Sequence, residues 1–160
     1  MSAGIVYDAN VKLLISTAAL ANNAAPTQAE VAASVNYSAY IPPDGITFGL
    51  GNSRVSGASI DSAFDSERMG RFQASLAIVF KRRLLNAAQL AWDAFKVRGV
   101  TGTVIIAPFG ITTAAAEGYV FPDFQTGIPE LNNPSANSEQ VFTVQMALGT
   151  APNMAAVFAA

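Results

Sequence analysis

Three carboxylates that lie close together, Asp61, Asp65 and Glu67, are the residues of this sequence best suited to chemistry. Carboxylate oxygens are the ligands that Ca²⁺ and Mg²⁺ prefer, so the cluster invites comparison with a calcium-binding loop. Its spacing does not follow the D-x-[DN]-x-[DN]-G pattern of such loops, and Arg68 and Arg71 come directly after it. The cluster therefore indicates a solvated surface of paired charges, and we predict no metal site.

The other chemical motifs are weaker still. Gly49-Leu50-Gly51 begins like a dinucleotide-binding turn, but Arg54 stands where the third glycine belongs. The chain contains no histidine and no cysteine, which removes the usual general base, the commonest metal ligands and any disulfide. We therefore predict no catalytic residue, no cofactor and no enzymatic activity.

Charged side chains are scarce. They make up 12% of the 160 residues, about half the usual fraction, whereas hydrophobic residues make up 51%. A formal net charge of −2 gives no positive surface with which to hold nucleic acid. An apolar surface outside a lipid bilayer is normally covered by a partner, so the composition predicts an obligate oligomer.

The stretch from residue 140 to residue 160 has no charged side chain and raises the question of a membrane anchor. Glutamine, glycine, proline and asparagine interrupt it too often for the roughly 20 apolar residues that cross a bilayer. Near the other end, the apolar run after Lys12 imitates a secretion signal, but Asp8 spoils the basic region before it. We predict neither membrane insertion nor secretion.

Apolar and polar residues alternate with period two in several segments, which is the pattern of half-buried antiparallel strands. The predicted strands cover residues 11–16, 31–41, 71–81, 102–107, 118–124 and 142–148. Pro122 cannot donate a ladder hydrogen bond, so its strand is predicted to lie at an edge of the sheet.

A single helix is predicted over about residues 86–98, with Asn86 as its N-cap and Gly99 after its end. Its apolar arc is wider than contact with one sheet requires. Trp92 and Phe95 are therefore covered either by a partner or by the core of their own domain, and the pattern does not separate the two.

A connection over about residues 42–70 is rich in turn-forming residues and is far longer than the usual 4 to 6. It is either a disordered loop or an extended hairpin that projects from the domain. The short apolar groups Ile46–Phe48 and Val55–Ile60 favour the hairpin.

The order of these features resembles the major tail tube proteins of long-tailed, siphovirus-type bacteriophages. The resemblance covers most of the chain and rests on VKLLIS, EVAASVNYSAYIPPDGITFG, GRFQASLAIVFKRR, NAAQLAWDAFKVRG, GTVIIAPFG, EGYVFPDF and VFTVQMALGTAP. It implies one domain over residues 1–160 with a mainly β fold. Two packed antiparallel sheets in a β-sandwich or barrel-like arrangement, one flanking α-helix and a long projecting loop are expected.

The same resemblance implies a structural protein of the virion tail, made in the host cytoplasm. Hexameric rings of the subunit would stack into a hollow tube. A tape-measure protein would fill the tube first, and DNA would later cross it as non-specific cargo. Tail-tip and terminator proteins would be the other partners.

Under this resemblance, two sets of residues carry the function. The self-assembly candidates combine apolar and charged groups of the loop and helix: Phe48, Arg54, Asp61, Phe64, Trp92 and Phe95. The lumen-lining candidates are small polar residues of strand faces: Ser34, Asn36, Ser38, Gln73, Ser75, Thr143 and Gln145.

Two other interpretations fit the sequence. Another ring- or cap-forming protein of the phage particle, such as a tail terminator or a head decoration protein, would share most of these features. A fimbrial-type β-sandwich subunit would also polymerise, by strand donation, but would normally need a secretion signal.

Overall fold

The computed structural model describes residues 11–56, 67–82, 89–111, 116–132 and 139–159. Within them, nine strands and two α-helices are formed. The strands are β1 (Lys12–Ser16), β2 (Val35–Asn36), β3 (Ile46–Ser56), β4 (Glu67–Lys81), β5 (Thr101–Ala107), β6 (Glu117–Thr126), β7 (Glu130–Leu131), β8 (Val141–Leu148) and β9 (Asn153–Val157). The helices are α1 (Gln28–Ala33) and α2 (Leu90–Phe95). The predicted mainly β fold is confirmed.

All nine strands join one antiparallel sheet. Its strand order is β2-β1-β5-β6-β8-β4-β3, while β7 pairs with β8 and β9 pairs with β6. Residues from both ends of this order pack into the same core, including Leu13, Val104, Phe121, Ile78 and Val144. One continuous sheet thus contributes residues to the core from both ends of its strand order, where two packed antiparallel sheets in a sandwich- or barrel-like arrangement were expected.

The part of the sheet formed by β1, β5 and β6 is buried on both faces. Leu14, Ile105 and Val120 point away from the main core into a second one. Val31 of α1 and Phe158, which follows β9, cover this second core. Burial on both sides explains why LLI of β1 and VIIA of β5 are continuous apolar runs and not alternating ones.

The predicted strand over residues 31–41 is wrong. Residues 28–33 form α1, followed by the short strand β2 and a 3₁₀ turn over Ser38–Tyr40. A capping box starts the helix: the Thr27 hydroxyl accepts the N–H of Glu30 at 3.3 Å, and the Glu30 carboxylate accepts the N–H of Thr27 at 2.8 Å. The T-x-x-E signal of this box outweighs the alternation of small residues that suggested a strand.

The placement of Pro122 at a sheet edge is also wrong. Its strand, β6, pairs with β5 on one side and with both β9 and β8 on the other. The β5 register shifts between Gly102 and Val104, and Asp123 adopts a positive φ of 54°. Proline is tolerated here because the ladder is already interrupted by a bulge.

Most of the predicted 42–70 connection is strand. β3 and β4 pair as a long hairpin from Ile46↔Ile78 to Ser56↔Glu67, with an irregularity between Asn52 and Arg54. β8 pairs with β4 only from Ser75 onward. The part of the hairpin formed by the β4 residues before Ser75 and their partners in β3 therefore extends beyond β8. Residues 57–66, which connect the two strands, lie outside the described residues.

Helix α2 is shorter than the predicted 86–98. It begins after Gln89, whose backbone is not helical, and ends at Phe95. Gly99 follows with a φ of 85°, which a glycine adopts without strain, and its N–H donates to the Thr126 carbonyl at 2.9 Å. The predicted N-cap, Asn86, lies outside the described residues.

The closing segment packs on its own domain. The Val157 N–H donates to the Ala24 carbonyl and the Ala159 N–H donates to the Pro26 carbonyl. Phe158 is 1% exposed, and its ring lies where any side chain added at Gly118 would have to go. This segment therefore acts as part of the fold of the subunit.

Replacing Phe158 by Ala should lower the free energy of unfolding by about 3–5 kcal/mol, because it leaves a cavity in the second core. The adjacent Val157→Ala is the matched control, since Val157 is 41% exposed and should cost less than about 1 kcal/mol. Urea denaturation followed by circular dichroism measures both. Equal costs would mean that the segment contributes no specific packing.

The stability of the α1 start should depend on pH. The Glu30 carboxylate accepts N–H bonds from Ala21 and Thr27 and the Thr27 O–H bond, which hold its pKa below the ordinary 4.5. A carboxylate with a lowered pKa stabilises the fold above its unfolded-state pKa, and this contribution is lost as pH falls through the folded-state value.

The stability lost in Glu30→Gln should therefore be larger at about pH 6.5 than at about pH 3. Urea titrations of both proteins at each pH give the difference. Glu117→Gln, at an exposed strand position, controls for the loss of one negative charge. A Glu30→Gln effect that is the same at both pH values would contradict the capping role.

Candidate assembly surfaces

One face of the β3–β4–β8 part of the sheet points away from the core and is made of residues that are either small or polar. We call this surface the polar face; it comprises Thr47, Gly49, Gly51, Gln73, Ser75, Ala77, Val79, Thr143, Gln145 and Ala147. None of these residues is charged, whereas at the margin of the face Glu130 of β7 lies opposite Thr143 and Lys81 follows Val79 on the same side of β4. In register, Ser75 lies opposite Ala147, and Ala77 lies opposite Gln145. The face continues onto Gln125 of β6, opposite Ala147, and Thr101 of β5.

The strand alternation fixes this arrangement. The intervening residues Leu76, Ile78 and Phe80 of β4 are fully buried, as are Phe142 and Val144 of β8. Because neighbouring residues of a strand point to opposite faces, burying one set exposes the other. Gln73, Ser75, Thr143 and Gln145, four of the seven lumen-lining candidates, therefore share one surface.

The other three lumen-lining candidates lie elsewhere, beside β1 and α1. Ser34 is 9% exposed and its hydroxyl donates to the Glu30 carbonyl at 2.9 Å. The Ser38 hydroxyl accepts the Leu13 N–H at 2.8 Å and donates to Asn36 Oδ1 at 2.7 Å. These side chains satisfy local backbone and side-chain partners, and the structure does not bring them to the polar face.

β3 ends the strand order and forms a long edge of the sheet. The Val79 N–H donates to the Gly45 carbonyl at 2.7 Å, so odd-numbered residues of β3 exchange bonds with β4. By the alternation of antiparallel ladders, the backbone groups of Phe48 and Leu50 point away from β4. No strand of the described residues pairs with β3 on that side. Such an edge is a template for a strand from another chain.

The edge also carries exposed apolar side chains. Phe48 is 42% and Leu50 is 45% exposed, and the Phe48 ring reaches Phe121 of β6 at a centroid distance of 6.1 Å. Arg54, another self-assembly candidate, lies further along the same strand. The candidates Asp61 and Phe64 lie outside the described residues.

The two aromatic candidates of α2 have different surroundings. Phe95 is 1% exposed and stacks on Phe80 at 5.2 Å, with Tyr37 at 5.5 Å on another side. Phe95 is therefore covered by its own domain, which is the second of the two alternatives for this helix. Burial also raises the pKa of the Tyr37 hydroxyl.

Trp92 is half-buried and packs against the main core. It meets Phe142 edge-to-face at 5.1 Å, and the Arg82 guanidinium lies 4.5 Å from its ring centroid. A cation over an indole face is attracted by the ring quadrupole. Lys96 and Asp93 form an exposed ion pair beside it at 2.9 Å. Trp92 thus keeps part of its surface open to a partner.

Several exposed apolar residues were not singled out from the sequence. Ile128 is 70%, Val97 is 59% and Phe109 is 50% exposed. Ile128 lines a shallow cleft with Arg98 and Gly127, at the end of β6. An isolated apolar residue between turn formers, as in Thr126-Gly127-Ile128-Pro129, is the only signal the sequence offers. The edge character of β3 was missed because its glycines obscure the strand pattern.

The described ranges contain no group of three or more acidic, histidine or cysteine side chains that could hold a metal ion. In the same part of the chain, no helix has the length and apolar character needed to cross a membrane.

A subunit with an uncharged polar face, a long sheet edge and half-covered apolar groups is suited to assembly. The family model described as phage tail tube protein matches residues 1–160. The chain belongs to the phage tail tube protein family. Membership gives it a structural role in the tail tube and a place in the virion tail, and it points to a non-enzymatic protein.

Solved structures share the fold. A chain of the virion of a native gene transfer agent (GTA) particle matches with a TM-score of 0.55 at 12% identity, covering 92% of this chain and 96% of that one. A chain of the anti-feeding prophage (AFP) baseplate matches with a TM-score of 0.55 at 11% identity, covering 92% and 91%. The tail of an empty GTA particle, refined with C6 symmetry, gives 0.52 at 12% identity, covering 92% and 96%. No curated protein sequence matches.

Removing the cation beside Trp92 should make the indole more accessible. Because the chain has one tryptophan, fluorescence excited at the indole band reports on Trp92 alone. Arg82→Ala should increase acrylamide quenching and cost about 0.5–1 kcal/mol of stability. Lys96→Ala, which removes a nearby exposed cation, should change neither the acrylamide quenching nor the stability. Unchanged quenching in Arg82→Ala would show that the guanidinium does not cover the ring in solution.

Proposed function

We propose that this protein assembles as hexameric rings that stack into the hollow tube of a phage tail, through which DNA passes into the host. The observation that carries the proposal is the polar face, an uncharged surface that spans β3, β4 and β8 and continues onto β6 and β5. Its location beside the long edge of β3 supports a sheet that continues from one subunit into the next.

The polar face is suited to line a lumen that DNA must cross without binding. Phosphate contacts by lysine and arginine dominate the affinity of proteins for DNA, and the polar face has neither residue. Lys81, at the end of β4, pairs with Glu139 at 2.7 Å. Six subunits with a formal charge of −2 each would give a ring of about −12, which repels phosphate.

The edge of β3 supports ring closure. Backbone groups of Phe48 and Leu50 that point away from β4 would pair with a strand of the adjacent subunit, and their side chains would be covered at the same time. The β3–β4 hairpin, with Arg54, would contact the next ring, and the self-assembly candidates Asp61 and Phe64 would contribute to contacts between subunits. The open part of Trp92 would lie at a subunit contact.

Other proteins of the tail complete the proposal. A tape-measure protein would occupy the lumen before DNA, and tail-tip and terminator proteins would bound the tube at its two ends. The subunit would be made in the host cytoplasm and would polymerise on the tail tip.

Negative-stain electron microscopy of the purified protein tests the assembly, alone at rising concentration and with a tail-tip extract as nucleator. Hollow tubes of uniform diameter with a regular axial repeat are expected. Isolated rings under both conditions would favour a terminator or decoration protein. The family match already favours a tail tube protein over a fimbrial-type subunit.

Leu50→Pro should abolish tube formation while the subunit still folds. Proline removes an N–H that points away from β4, so it blocks addition of a strand at the edge and spares the β3–β4 ladder. Leu50→Ala is the matched control, because it removes the side chain and keeps the N–H. Electron microscopy scores tubes and circular dichroism verifies folding. Normal tubes from folded Leu50→Pro would rule out pairing at this edge.

Lysines on the polar face should slow DNA ejection. Gln73→Lys and Gln145→Lys would each place about six positive charges in every ring, where phosphates pass. Phages with each substitution are triggered in vitro and the released DNA is followed by dye fluorescence. Gln73→Glu and Gln145→Glu, of similar size and opposite charge, should eject at the normal rate. Unchanged ejection in both lysine phages with intact tails would place the lumen elsewhere.

A further inference from the structure

The β3–β4–β8 part of the sheet has a second free edge, on the side opposite β3. The short strand β7 pairs with β8 there, and no strand of the described ranges pairs with the other side of β7. Leu131 of β7 is 52% exposed, and Ile128, just before the strand, is 70% exposed. The strands thus run in the order β7-β8-β4-β3, with exposed apolar side chains at both ends.

The backbone of Leu131 points away from the sheet. The Asn132 N–H donates to the Val141 carbonyl of β8 at 3.2 Å, so the backbone groups of Asn132 are directed at β8. Because these directions alternate along an antiparallel ladder, those of Leu131 are directed outward. The side chain of Leu131 lies on the core side of the sheet, since its register partner is the buried Phe142.

The β3 edge has the same combination of features. Phe48 and Leu50 direct their backbone groups outward, and Phe48 lies on the core side opposite the buried Leu76. Directly opposite residues of an antiparallel pair have their side chains on the same face. Leu131 opposite Phe48 or Leu50 therefore joins core side to core side and polar face to polar face. An outward-directed Glu130 would instead have inverted the polar face from one subunit to the next.

The number of strands also fits. Neighbours among β7, β8, β4 and β3 are antiparallel, so β7 and β3 run in opposite directions. Rotation about the axis of a ring keeps the direction of every strand relative to that axis. β3 of one subunit therefore meets β7 of the next as an antiparallel neighbour, whereas an odd number of strands would have required a parallel pair.

We propose that β3 of one subunit pairs with β7 of the next, with Phe48 and Leu50 packed against Leu131. This inference rests on the proposed ring and names the surface that the β3 edge meets. The two surfaces differ, so the contact is heterologous and can repeat around a ring. Trp92 would lie at this junction, because it contacts Phe142, the register partner of Leu131.

Disulfides between introduced cysteines test the pairing, since the natural chain has no cysteine. Leu131→Cys is combined with Phe48→Cys in one variant and with Leu50→Cys in another, because the alternation allows either residue to lie opposite Leu131. Opposite residues that exchange hydrogen bonds have Cα atoms about 5.5 Å apart, a distance that a disulfide spans. After oxidation, non-reducing electrophoresis should show a ladder of covalent multimers in at least one variant, ending at the closed ring in tubes.

The matched control is Leu50→Cys with Phe109→Cys, since Phe109 is 50% exposed but follows β5, away from β7. It should give at least about tenfold less multimer after the same oxidation, because the two thiols are not held together. Leu50→Cys alone should give no ladder. A dimer that forms from it as fast as the ladder would indicate two-fold pairing of β3 with β3 and would overturn the proposal.

The oxidation is carried out on tubes and on concentrated dissolved subunits, after circular dichroism has verified folding. A ladder without tubes in the electron microscope would support the pairing and contradict the proposed tube. No ladder from either folded variant would overturn the pairing, and tubes in the same sample would show that the proposed function stands without it.

Discussion

The packing of Phe80 against Phe142 and Phe95 is the interaction on which the rest of the subunit depends. Phe80 and Phe142 lie directly opposite each other on β4 and β8 and stack at 5.5 Å, while Phe95 stacks on Phe80 from α2 at 5.2 Å. A slip of one residue in either strand would turn these rings to the opposite face. Holding them in the core therefore holds the polar face outside.

The β1–β5–β6 part and the β3–β4–β8 part of the sheet differ in how many of their faces are covered. α1 and the closing segment around Phe158 cover the outer side of β1, β5 and β6, so that part is buried twice and is rich in β-branched residues. Within the described ranges, no helix or closing segment covers the polar face, and β3 ends the strand order. The surfaces left available for assembly are thus those that the subunit does not use to fold.

The fold persists in structures that share only 11–12% identity with this chain. Such divergence is possible because a sheet needs the inward positions to be apolar and of suitable volume, and does not need particular residues there. This explains why no single motif of the sequence identifies the family.

The sequence by itself determined the strands with clear alternation or apolar runs, β1, β4, β5, β6 and β8, and the scarcity of charge that indicates an assembling subunit. These follow from period and composition, which are local properties. It also determined that Gln73, Ser75, Thr143 and Gln145 point away from the core, because their neighbours along the strand are large and apolar.

Only the tertiary structure decided which of these residues lie together. β4 and β8 are separated by about sixty residues in the chain. Their register depends on the packing of aromatic side chains, which no local sequence pattern encodes. The same is true of Phe95, buried by Phe80 and Tyr37, and of Ser34, held as the cap of a helix where alternation suggested a strand. Sequence period specifies which side of an element is apolar, but contacts between distant elements determine whether that side meets the core, solvent or another subunit.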